Sequence, residues 1–189
     1  MNQWFYNFAV WLDSTHWSEL LHGSVYMYPW VESTHVITLM LSLGMLIVID
    51  LRMLGLVLPD IPASLVAKKL NLPMLVGFSI MVITGLLLFY AIPVRTAQSF
   101  WFRIKVVLLI AAAVNAFLFH RAMKQSVSTW DNNRVAPARI RAGAILSLTF
   151  WVGIVICGRF IAYDWFDCKN EPAAIISFIS GCLEGQTQF

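Results

Sequence analysis

Four long apolar runs separated by short polar breaks set the pattern of this chain. The first, residues 35–58, reads HVITLMLSLGMLIVIDLRMLGLVL, with a histidine at its mouth and Asp50-Leu51-Arg52 near its far end. The second covers residues 72–92, opened by Pro73 and closed by Pro93, where a missing N–H and fixed φ suit a helix boundary. The third covers residues 100–120 and ends on His120, and the fourth covers residues 140–163. Each is long enough to cross a hydrocarbon core of roughly 30 Å. Strict apolar–polar alternation is missing, so the pattern predicts spanning helices and not a β-barrel.

The remaining stretches are broken by polar residues. Residues 3–22 are rich in Trp, Phe and Tyr but interrupted by Asn7, Asp13, Ser14, Thr15 and His16, a composition that favours the headgroup layer. Asp13 or Ser14 is predicted to cap a short second helix over residues 15–28, ended by Pro29. Residues 121–141, RAMKQSVSTWDNNRVAPARIR, read as a polar loop outside lipid, and residues 172–184 as a short tail helix at most. The predicted fold is an all-α integral membrane protein. It is a four-transmembrane-helix bundle with N-terminal amphipathic interfacial helices and a short C-terminal periplasmic tail helix. Its parts are an interfacial segment (1–34), a membrane domain (35–163) and a tail (164–189).

Composition supports this reading and adds an orientation. Of 189 residues, 59% are hydrophobic and 12% charged, with mean hydropathy +0.73, whereas a soluble domain is about a quarter charged. The basic loops would meet anionic lipid, and no nucleic-acid partner is expected. Residues 1–12 carry no basic charge, so no removable signal peptide is predicted. One side of the bundle carries Arg52, Lys68, Lys69, Arg121, Lys124, Arg134, Arg139 and Arg141; the other carries Arg95, Arg103, Lys105, Arg159 and Lys169 with most of the acids. The positive-inside tendency makes the first side cytoplasmic. The expected location is a bacterial inner membrane, with multiple passes and both termini periplasmic. Cys157 reads as an apolar core residue, while Cys168 and Cys182 fall together in the outward tail, where a disulfide is chemically open to them.

Helix rise turns sequence into depth. Arg52 lies 17 residues below His35, roughly 25 Å, and alternate spans run in opposite directions. An outer layer therefore holds His35, Lys105 and Arg103, with His16 and His22 nearby; an inner layer holds Asp50, Arg52 and His120. Histidine is the commonest metal ligand and a haem axial ligand. Each residue also has a plainer reading: Lys105 and Arg103 as snorkelling cations, Asp50 and Arg52 as interfacial groups, the alanines near His120 as helix packing. Asp50 and Arg52 point about 200° apart on a helix, so Arg52 is expected to find another partner, such as a phosphate or a cofactor carboxylate. No GxSxG, HExxH, CxxC, CxxCH or phosphate loop is present.

The pattern His35…Gly44…Asp50-Leu51-Arg52-x-Leu54-Gly55, with Trp101, Lys105 and Asn115 in the third run, resembles a family of uncharacterised bacterial four-helix membrane proteins. More distantly it is similar to copper-resistance D-type membrane proteins and to the haem-binding protoporphyrinogen oxidase of the HemJ type. The resemblance covers roughly residues 30–160. It implies a bundle that holds haem b or handles copper, with His35 as axial ligand, Arg52 as a propionate or structural partner and Lys105 as the functional lysine of the facing helix. His22 and His120 lie outside that pattern.

The functional expectation is a haem-b-binding electron-transfer protein or subunit of a periplasmic or quinone-linked redox system, not necessarily catalytic by itself. His35 with His22 or Lys105 would hold one haem, and His120 a second with a ligand from elsewhere. Alternatives are a copper or other metal transport or resistance protein, with His16, His22, His35 and His120 as candidate ligands, and a cofactor-free structural subunit. Expected partners are the lipid bilayer, a redox or other membrane protein, quinone and further copies of the chain.

Overall fold

The computed structural model of the chain describes residues 2–163, residue 168 and residues 173–182. The described residues are all-helical, without strands, in eight helices: α1 (Asn2–Asp13), α2 (His16–Gly23), α3 (Met27–Met53), α4 (Ala63–Ala91), α5 (Pro93–Ala97), α6 (Phe100–Trp130), α7 (Ala138–Ala162) and α8 (Ala174–Ser180). Four of them, α3, α4, α6 and α7, are long and apolar enough to cross a membrane. At 25 to 31 residues each measures about 38–47 Å, longer than a hydrocarbon core of about 30 Å, so their ends reach into the headgroup layers. Large side chains such as Met40, Ile83, Ile110, Phe117 and Val152 are exposed along them. A water-soluble surface does not carry so much contiguous apolar area, and lipid is the solvent that suits it.

The helix ends differ from the sequence-based bounds for local reasons. Pro29 does not end a second helix; it sits in the first turn of α3, where its missing N–H costs nothing. The expected second helix shrinks to α2, and neither Asp13 nor Ser14 caps it. Thr15 stands at its N-cap position and bonds elsewhere, to the Leu12 carbonyl and the Tyr90 hydroxyl. Pro73 lies inside α4, which begins nine residues earlier than residue 72. The third span continues through Trp130, so half of the expected polar loop is helix, because no Gly or Pro interrupts it and polar residues are tolerated once it leaves lipid. α8 ends on Gly181, whose φ of +73° makes the left-handed stop.

The chain divides into two compact units. The first comprises Met1–His35, Val82–Val107 and Val155–Phe189. Here α1 packs on α5 through Ala9, Val94 and Ala97, flanked by Phe5, Tyr6, Val10 and Phe89. The opposite side of α1 carries an exposed aromatic row, Trp4–Phe8–Trp11, with successive ring centroids 6.0 and 5.9 Å apart. Ser18 of α2 donates to the Tyr90 carbonyl at the end of α4. In the tail, Cys168 and Cys182 form a disulfide, and Gln98 donates to the Gly181 carbonyl beside it.

The second unit, Val36–Met81 and Leu108–Ile154, has the larger core: Ile49, Met53, Ala63, Val66, Met123, Trp130, Ala136, Ile140 and Ala144. Arg52 ties it together. Its side chain is fully buried, and its guanidinium donates to three backbone carbonyls: Nε to Ile61 (2.7 Å), Nη2 to Asn133 (3.1 Å) and Nη1 to Arg134 (3.2 Å). The α3–α4 and α6–α7 connections thus both hang from one side chain on α3. Gly55 completes the arrangement, with φ +77°; a Cβ there would lie 2.8 Å from the Arg134 carbonyl oxygen and 2.9 Å from Val135. Asp131 caps α4, accepting from the Ser64 backbone N–H at 2.7 Å and from the Ser64 hydroxyl at 2.5 Å. Arg134 and Asp60 make an exposed ion pair that adds little.

Hydrogen bonds from a charged group contribute about 1.5–3 kcal/mol each. Arg52→Ala is therefore expected to destabilise the detergent-solubilised protein by on the order of 3 kcal/mol or more, read as a lowered thermal midpoint. Arg52→Lys should recover only part of the loss, because an ammonium cannot reproduce the planar fork. An unchanged midpoint in Arg52→Ala would show that the clasp is dispensable.

Candidate functional site

In the first unit the expected ligand His35 is half-buried on α3, seated against α4. Its Nδ1 lies 3.1 Å from the Thr84 hydroxyl, and its ring packs over Gly85, where a Cβ would come within 3.1 Å of Cε1. Thr84 therefore orients the imidazole and Gly85 makes room for it. Neither residue stands out in sequence, since a Thr-Gly step in an apolar run reads as helix packing.

Lys105 repeats this arrangement on the other helix pair. Its ammonium reaches α7 and lies over Gly158, where a Cβ would be 3.5 Å from Nζ, beside the buried Cys157. Its nitrogen thus turns onto the neighbouring helix. Arg103 donates to the Ala97 carbonyl at the end of α5. Trp101 of the resemblance pattern packs on Phe160 with centroids 4.5 Å apart.

Two further histidines of this unit stand on α2. His16 and His22 are exposed on α2, His16 beside Trp17 and His22 edge-on to Tyr28, each with centroids 6.4 Å apart. Among the described residues no group of three or more His, Cys, Asp or Glu side chains is placed to hold a metal ion. An open apolar cleft of about 690 Å³ lies between α2, the start of α3 and the end of α4, walled by Trp17, Leu20, Leu21, Met27, Leu87 and Tyr90, with Glu19 its one acid.

In the second unit the expected layer of Asp50, Arg52 and His120 separates. His120 is exposed, and of the alanines on its helix only Ala112 is buried. Arg52 is the correction to the cofactor reading: enclosed and committed to three carbonyls, its guanidinium presents no face to a propionate or phosphate. Asp50 is buried on α3 beside Ser147 of α7, while the Arg52 donors go to backbone carbonyls. Asn115 of the resemblance pattern crosses from α6 to donate to the Gly143 carbonyl of α7 at 2.9 Å. Ser42 of α3 is buried directly against Gly77 of α4.

The model of a family of unknown function, DUF6644, matches residues 8–164, and the chain belongs to that family. No curated protein and no solved structure matches it.

The seat of His35 can be checked by chemical modification. With diethylpyrocarbonate, His16 and His22 are expected to react before His35, as read by peptide mass spectrometry. Gly85→Ala should push the ring off α4 and raise the His35 rate, leaving the other two unchanged. Equal rates for all three histidines in the wild type would contradict the seat.

Proposed function

We propose that this member of DUF6644 is a b-type haem-binding membrane protein that passes electrons within a quinone-linked or periplasmic redox system, with His35 as the axial ligand. The observation that carries the reading is the mounting of His35. Metal-bound histidines are characteristically held through their other ring nitrogen, which sets tautomer and ring plane. Thr84 stands at that position, and Gly85 leaves the backbone of α4 open beside the ring.

A haem bound there would supply one-electron chemistry at a potential tuned by its second ligand and by burial. The chain's own part is to orient His35, to exclude water with apolar helix faces, and to keep the cation of Lys105 in the same unit for an acidic substituent. With Arg52 committed elsewhere, Lys105 is the better candidate for that role. The apolar cleft is where a lipophilic partner such as a quinone would approach, since Leu87 on its wall lies one turn along α4 from Thr84.

The same reading places the protein in a bacterial inner membrane with the Arg52 clasp on the cytoplasmic side. Its support is the excess of Lys and Arg around that end and the Cys168–Cys182 disulfide in the unit holding both termini, a bond that persists in oxidising compartments.

Protein purified after haem supplementation should show a Soret band that shifts on dithionite reduction. The band should be lost in His35→Ala, weakened in Gly85→Ala and kept in His120→Ala. Wild-type protein without a Soret band would overturn the haem reading, and stoichiometric copper without porphyrin would replace it with metal handling.

A further inference from the structure

Asp50 is the one acid buried in the core of the second unit among the described residues, at 4% exposure. Ser147 of α7 lies beside its carboxyl, and Oδ2 has no hydrogen-bond partner among the described residues. Its surroundings are apolar: Ile49 and Met53 on its own helix, Ile140 and Ala144 on α7, belong to one shared core.

No cation of the unit is placed to neutralise it. Arg52, two residues along, projects about 200° away around the helix, and its N–H groups go to the Ile61, Asn133 and Arg134 carbonyls. Lys68 and Lys69 on α4, His120, Arg121 and Lys124 on α6, and Arg139 and Arg141 on α7 are all exposed. Asp131 is committed to Ser64.

A carboxylate at membrane depth without a counter-charge costs several kcal/mol, which is why such groups mark ion and proton pathways. A mere tie between α3 and α7 would be served as well by Asn, whose amide adds donors. A buried carboxyl with an open oxygen beside a hydroxyl is suited instead to accept a small cation. We propose that Asp50 and Ser147 form a site, buried within the protein, for a monovalent cation, a proton or a sodium ion. Asn115 of α6 donates to the carbonyl of Gly143, one turn before Ser147 on α7. This site is separate from the haem reading and does not depend on it.

The test uses the full chain in detergent with dicyclohexylcarbodiimide, which forms a stable adduct with protonated carboxyl groups in apolar settings. Peptide mass spectrometry should find the adduct on Asp50 in preference to the exposed Asp60, and Asp50→Asn should abolish it. If the ligand is a proton, labelling rises as pH falls and sodium chloride does not change it; if it is sodium, the salt protects Asp50 at constant pH while potassium chloride does not.

Thermal unfolding supplies an independent reading. The wild-type midpoint should rise with the cation that binds, because a ligand of the folded state stabilises it. Asp50→Asn should lose that dependence, and Ser147→Ala should shift it to higher cation concentration. The proposal is overturned if Asp50 stays unlabelled from acid to alkaline pH while the denatured chain is labelled there. It is equally overturned if wild type and Asp50→Asn respond to pH and sodium in parallel.

Discussion

A single buried guanidinium holds the second unit together. In a lipid environment, apolar side chains gain nothing by leaving the solvent for each other, so helices are joined by close packing and by polar cross-links. Arg52 is such a cross-link at its most economical. Three backbone carbonyls from two separate connections converge on one planar group, which fixes where α3 ends, where α4 begins and where α7 starts. Gly55 and Asp131 are consequences of the same constraint. The first lets the 134–135 backbone come close, and the second supplies the N-terminus of α4 with the acceptor its own sequence lacks.

The helix pairs follow a common rule: a polar side chain on one helix meets a glycine on the next. Ser42 sits on Gly77 and His35 on Gly85, while Lys105 rests on Gly158 and Asn115 reaches the carbonyl of Gly143. The glycine removes the Cβ that would hold the backbones apart, and the polar group gains a place among dipoles in an otherwise apolar medium. His35 and Lys105 are thus parts of the packing scheme as well as candidate chemistry. The packing itself thus orients the His35 ring.

Arg52 and Asp50, two residues apart, divide structural and chemical work in the second unit. Arg52 carries charge and gives a donor from each of its three nitrogens to backbone carbonyls, so it makes a scaffold. Asp50 has an acceptor oxygen left over, the feature on which the proposed cation site rests. On a helix the two face different neighbours, and only those neighbours decide which residue is which.

The sequence by itself determined the class of the molecule: four apolar runs too long and too uniform for anything but spanning helices, an aromatic interfacial start, and an asymmetry of basic residues. Those features are local, and hydropathy reports them directly. It also marked His35, Lys105, Asn115 and the Asp50-Leu51-Arg52-x-Leu54-Gly55 stretch as unusual. It did not determine what each does, because that depends on residues remote in the chain. Thr84 is 49 positions from His35, and Asn133 and Arg134 are 81 and 82 from Arg52. Helix ends were misjudged for a related reason: Pro29 falls in the first turn of α3, where no N–H is needed, α4 begins ahead of Pro73 and runs through it, and residues 121–130 stay helical once they leave lipid. Tertiary structure alone decided that Arg52 is a clasp, that His35 is mounted on Thr84 and Gly85, and that Asp50 retains an open oxygen. A buried polar group is defined by which acceptors and donors surround it, and those are set only when the helices pack.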